Sequence, residues 1–205
     1  MAVDWNLIDK LDFLRHNKII LGSGSPRRKE LLGSIWNGEI VVMKSDVEEL
    51  YPEDLPIEKI PIYLAKLKAE DLKSNIDLTE NLLLTADTIV ICEGKVLGKP
   101  LDKAEAKSML QFLSNKIHQV ITGVAIYSKE KCIEIEEKTD VHFGKLSDAD
   151  IDFYIEQFHP MDKAGSYGIQ EFIGMIGIEK INGCYYNVMG LPTQRVWKEL
   201  SSLRG

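Results

Sequence analysis

Long apolar runs, cysteines and positive charge are all scarce in this chain of 205 residues. No apolar stretch approaches the ~18 residues of a membrane-spanning helix, so no membrane partner is expected. The three cysteines, Cys92, Cys132 and Cys184, are odd in number and far apart, which gives neither a disulfide framework nor a zinc-ligand spacing. Lys plus Arg total 25 against 32 Asp plus Glu, a net charge of −7. That balance lacks the basic face that nucleic-acid backbone requires. His118, His142 and His159 stand singly, without the spacing of a metal pair and without a serine or cysteine elbow nearby. A serine- or cysteine-nucleophile enzyme is therefore poorly supported.

What is present is ordinary globular composition. Apolar residues make up 44% and charged residues 28%, which excludes a disordered chain and allows a sizeable core. The opening MAVDWNLIDKLDFLRHNK carries acids where a secretory leader runs from basic to apolar, so a reducing, cytoplasmic compartment is expected.

Hydrophobic periodicity predicts an amphipathic helix over 4–16 and a buried strand over 18–22. A helix follows, with Ser25 as N-cap and Pro26 at its first position, and with Leu31, Leu32 and Ile35 on its buried face. Further strands are expected over 39–44 and 82–92, the latter turning at Glu93-Gly94. Residues 57–72 read as a helix with Ile60, Tyr63, Leu64 and Leu67 on one side, and 102–114 as another. Two long strands, 118–127 and 131–143, form an antiparallel pair. Ser147 opens a helix to about Phe158. FIGMIGIEKI and CYYNVMG flank Asn182-Gly183 and read as a second hairpin, before a last helix over 193–203. The mixture is α/β with antiparallel hairpins, not a simple doubly wound sheet.

Chemistry gathers in four places. In GSGSPRRKELL (22–32) small residues precede a helix start, whose free N–H groups and dipole attract anions. Arg27 and Arg28 oppose that dipole, which makes sense beside a bound phosphate; a solvated basic helix start is the plain alternative. Asp87 lies in an apolar strand run, where an acid needs a partner, and Lys99 beyond the hairpin offers one. Glu48-Glu49 and the helix residues Lys66 and Lys68 gain meaning only as members of a set. HPMDKAGSYGIQ (159–170) adds Asp162, Lys163, Tyr167 and Gln170, suited to reading a base and its phosphates.

In this order the segments resemble the Maf family of nucleoside triphosphate pyrophosphatases. The pattern S-x-S-P-R-R-x-x-L-L stands as Ser23 to Leu32, A-D-T as Ala86 to Thr88, and G-K-P as Gly98 to Pro100. P-x-D-K-A-G-x-Y-x-I-Q stands as Pro160 to Gln170, and G-L-P as Gly190 to Pro192. Five motifs in order across nearly the whole chain are specific. The D-K-A-G-x-Y-x-I-Q run is similar to the branch that takes dTTP and UTP. The resemblance implies an α/β fold, a long twisted mixed sheet flanked by helices, in two lobes with a central cleft. Residues 1–18 would be an extension and 19–205 one catalytic domain.

It also implies hydrolysis to a monophosphate and pyrophosphate, with Asp87 as proton acceptor. Glu49, Lys68, Lys99 and Lys163 would line the phosphate site, Ser23, Ser25, Arg27 and Arg28 would hold substrate, and Arg27, Thr88 and Gln170 would govern its choice. Glu49 and Asp87 are hard oxygen ligands for a divalent cation, Mg²⁺ or Mn²⁺. A homodimer is implied as well. His159 and Glu171 depart from residues common in the family, and Gly22 replaces a common alanine. The rival expectation is a regulatory protein of septum formation that works by binding.

Overall fold

The computed structural model describes residues 18–203, so the helix expected over 4–16 lies outside the described residues. A seven-stranded mixed sheet forms the centre. β1 (Lys18–Gly22) runs parallel to both β2 (Ile40–Val42) and β3 (Asn81–Cys92). β3 then pairs antiparallel with β4 (Lys95–Leu97), across the expected turn, and with β5 (Ile117–Tyr127). β6 (Cys132–Phe143) lies antiparallel to β5, and β7 (Ile178–Asn182) forms the far edge.

The helices are α1 (Pro26–Gly33), α2 (Ile60–Lys73), α3 (Lys103–Leu113), α4 (Asp148–Phe158), α5 (Phe172–Gly177), α6 (Tyr185–Val188) and α7 (Thr193–Ser202). Their starts follow local chemistry. The side chains of Ser25, Asp102 and Ser147 accept hydrogen bonds from the backbone N–H groups of Arg28, Glu105 and Asp150. Each thereby satisfies a donor that the helix cannot.

Strand alternation sends β3 residues to two cores. Leu82, Leu84 and Ala86 pack with Leu31 and Leu32 of α1 and with Val196 and Leu200 of α7. Val90 and Cys92 pack farther along the same face with Leu110 of α3 and Tyr154 of α4. Half-buried Thr88 stands between these two clusters. On the other face α2 covers Leu83, Ile89 and Ile91. It comes so close that a Cβ on Gly123 of β5 would lie 2.3 Å from the backbone nitrogen of Ile62. Gly123 is register partner to Asp87, so this contact sets α2 beside the acid.

Two expectations need correction. Tyr63 is exposed; Ile60 and Leu64 are buried as expected, and Ile62, Ala65 and Ala69 join them on the buried side of α2. The second hairpin does not form. Only Ile178–Asn182 finds a strand partner, on β6. Residues 172–177 have no strand beside them, so their backbone groups are satisfied within a helix. Beyond Gly183 the Cys184 N–H donates to Thr139 Oγ1, and the chain enters α6. The run FIGMIGIEKI is apolar enough for either state, and the length of the available sheet edge decided.

Candidate functional site

Asp87 sits mid-strand with its side chain on the α2 face. Two residues earlier on that face, buried Thr85 donates from Oγ1 to the Ala65 carbonyl of α2, 2.7 Å away. Lys68 lies one turn beyond Ala65 and so meets Asp87: Nζ donates to Oδ1 at 2.7 Å. The same ammonium reaches Glu49 Oε1 at 2.9 Å. Lys68 therefore separates two carboxylates that would otherwise repel. The partner of Asp87 is Lys68, not the Lys99 that chain proximity suggested. Lys66 points away and pairs with Glu134.

Arg28 explains the unfavourable helix start. Its Nε donates to the Gly190 carbonyl at 2.9 Å, one terminal nitrogen to Ser23 Oγ and the Ala86 carbonyl, and the other to Thr88 Oγ1. Four of its donors are committed to protein, so it clamps α1 to β3 and to the Gly190-Leu191-Pro192 turn. In this structure those donors serve protein acceptors, and Arg28 also lines the cavity and lends it charge. Burial lowers its pKa and the Asp87 charge opposes that, but a guanidinium stays charged in any case.

Thr88 continues the clamp. Its Oγ1 lies 2.9 Å from Thr122 Oγ1, and Thr122 donates to the Asn187 carbonyl. Because the Thr122 proton is spent on Asn187, Thr88 is the donor of the pair. Asn187, which lies in the CYYNVMG run expected to form the second hairpin, is fully buried and donates to the Val120 carbonyl and Thr139 Oγ1.

Lys163 is buried, with Nζ 2.7 Å from Asp162 Oδ1 and 3.2 Å from Glu171 Oε1. Arg27 donates to the other oxygen of Asp162 at 2.7 Å. Glu171 also accepts from the Tyr154 hydroxyl. Tyr167, one wall of the site, is hydrogen-bonded to buried His118 Nε2 at 2.7 Å. Burial pushes the Tyr167 hydroxyl up and lowers His118 to about 4, so both stay neutral at physiological pH.

All eleven site residues expected from sequence line one cavity of about 610 Å³: Ser23, Ser25, Arg27, Arg28, Glu49, Lys68, Asp87, Thr88, Lys99, Lys163 and Gln170. Lys99 is exposed at the rim. The Gln170 Oε1 atom is shielded from solvent and has no hydrogen-bond partner among the described residues. Lys44 and Tyr51, not singled out in the sequence, line the cavity too. The Lys44 stem lies over Gly24, where a Cβ would stand 2.6 Å from Lys44 Cε. No motif marks Lys44; only the parallel register of β2 on β1 delivers it.

The donor set fits a divalent cation in a limited way. Glu49 and Asp87 each give one oxygen to the Lys68 nitrogen, and the second oxygen of each has no hydrogen bond among the described residues. Among the described residues no three His, Cys, Asp or Glu side chains gather. Two carboxylates completed by phosphate oxygens and water suit Mg²⁺ or Mn²⁺.

Residues 18–203 match the family model described as "Maf-like protein". The chain is 50% identical over 188 residues to a protein of Bacteroides fragilis (strain YCH46) named dTTP/UTP pyrophosphatase, covering 91% of this chain and 96% of that one. It is 48% identical over 191 residues to a protein of the same name from Porphyromonas gingivalis (strain ATCC BAA-308 / W83), covering 93% and 96%. A solved nucleoside-triphosphatase / dITP/XTP pyrophosphatase of Mycobacterium abscessus covers 63% of this chain and 75% of its own at 14% identity, with a TM-score of 0.36, too weak a likeness to bear on the fold.

Proposed function

The chain belongs to the Maf-like family, and on that premise we propose that it is a nucleoside triphosphate pyrophosphatase. Its substrates in this reading are dTTP and UTP, as named for its relatives, and modified pyrimidine triphosphates fall within the same chemistry. One observation carries it: cations and carboxylates drawn from positions 27 to 163 line a single cavity. A triphosphate carries several negative charges that repel a nucleophile, and such a cavity offsets them.

Water attacks the α-phosphorus and pyrophosphate leaves. Asp87 accepts the water's proton. Lys68 holds its Oδ1, which leaves Oδ2 with no hydrogen bond among the described residues. Lys99, Lys163 and Arg27 meet the phosphate oxygens, with Ser23 and Ser25 at the helix start, and Arg28 fixes that start against the sheet. Glu49 and Asp87 would hold the divalent cation, which when bound supplies charge neutralisation and acidifies water. Gln170 presents both an acceptor and a donor, the complement of the N3–H and O4 edge of uracil or thymine. Cytosine reverses that edge. Arg27 and Thr88 share in this choice.

The catalytic unit is residues 19–205, with 1–18 as an extension, and the working form is a cytoplasmic homodimer, as the family resemblance implies. No helix among the described residues is long and apolar enough to cross a membrane. A purely regulatory role in septum formation is not favoured, because a binding surface gives no reason to gather these charges in a cavity.

The test is a pyrophosphate-release panel over dTTP, UTP, CTP, purine and modified pyrimidine triphosphates, with Mg²⁺ and with Mn²⁺. Faster release from dTTP and UTP is expected. Equal rates on all bases would remove the role of Gln170, and no release from any would overturn the activity.

A further inference from the structure

Asp162 is an acid among cations that a polyphosphate needs. Its two oxygens are divided, Oδ1 to Lys163 and Oδ2 to Arg27, each at 2.7 Å. The pair with Arg27 spans 135 positions of chain and ties the start of α1 to the 160–170 segment. The exposures are unequal: the Asp162 side chain is 54% exposed, Arg27 22% and Lys163 8%. The acid thus sits at the cavity rim and the cations lie deeper.

The two cations keep other supports when Asp162 is removed. Lys163 retains Glu171 Oε1 at 3.2 Å, and Glu171 is itself held by Tyr154. Arg27 stands in the first turn of a helix whose position the Arg28 clamp secures through β3 and Gly190. Among the described residues Asp162 has no side-chain partner besides these two cations. A half-exposed ion pair is worth little in water. A ligand with several phosphate oxygens therefore outcompetes one carboxylate for the same donors.

We propose that Asp162 is an internal counter-anion, which holds Arg27 and Lys163 and is displaced from them by the incoming polyphosphate. The inference rests on the reading that a nucleoside triphosphate occupies this cavity, and adds a residue that sets how tightly phosphates are held. It works against affinity: the site resists inorganic phosphates and lets its anionic products go. A carboxylate that merely supported Arg27 and Lys163 would have the opposite effect on binding, so the sign of the change discriminates.

The experiment is calorimetric titration of the full chain with inorganic pyrophosphate, alongside steady-state hydrolysis of UTP, for wild type, Asp162→Asn and Asp162→Ala. Asparagine keeps the shape and removes the charge; alanine removes the contact as well. Expected for both variants is about tenfold tighter pyrophosphate binding and a lower KM, because one like charge near the ligand is gone. Weaker or unchanged pyrophosphate binding in folded Asp162→Asn, with wild type binding normally, overturns the inference and leaves the pyrophosphatase reading standing. A wild-type chain that neither binds pyrophosphate nor hydrolyses UTP overturns both.

Discussion

Replacing Lys68 by methionine keeps most of the stem and removes the charge that separates Asp87 from Glu49. The cost divides by exposure. Glu49 is 51% exposed, so its pair with Lys68 contributes at most about 1 kcal/mol. Asp87 and Lys68 are each 12% exposed, close to the buried regime, where losing one partner costs ~3–5 kcal/mol. The open cavity lets water reach the stranded carboxylate, which brings the expected loss down to about 2–3 kcal/mol. For a chain of this size that lowers Tm by roughly 5–10 °C.

The decisive assay is a double-mutant cycle by urea denaturation, with Lys68→Met, Asp87→Asn and the pair. Removing both charges leaves no stranded ion, so the double variant should be more stable than the sum of the single losses predicts, by about 2 kcal/mol. Strict additivity would refute the geometry in which Lys68 serves Asp87. On the proposed mechanism activity should fall in every variant, since the proton acceptor Asp87 loses either its holder or its charge.

Asp87→Asn should abolish pyrophosphate release while calorimetric affinity for UTP stays within a few-fold; near-normal turnover would remove Asp87 as proton acceptor. His118, lowered to about 4 by burial, binds fewer protons folded than unfolded between pH 4 and about 6.5, so stability rises with pH across that window. Its contribution is complete above about pH 6.5 and is lost as pH falls toward 4, an effect of about 3 kcal/mol. His118→Phe should flatten that part of the stability curve, at the cost of the Tyr167 hydrogen bond; urea midpoints between pH 4 and 7 that keep their slope would contradict the assignment.

Much of the architecture was legible because it is local. Ser25-Pro26 starts a helix, Glu93-Gly94 turns a strand, and the alternating runs of 118–127 and 131–143 announce long strands, each signal lying within a few residues. Residues that line the cavity were legible too, through five spaced motifs and through an acid in an apolar strand. The partners were not. Lys99 looked like the mate of Asp87 because it is near in the chain, yet α2, pressed against Gly123, brings Lys68 instead.

Arg28 was legible as a cation at a helix start, but its role as a clamp was not, because its acceptors include backbone carbonyls of Ala86 and Gly190 that no pattern of side chains reveals. Lys44 and Asn187 carried no motif at all. The linear chain determined which chemical groups and which local elements this protein possesses, since those follow from side-chain type and from hydrogen bonds closed over a few residues. Only tertiary structure decided how its charges pair. Pairing depends on distances of a few ångströms between elements far apart in sequence, set by strand register and by how closely a helix can approach the sheet.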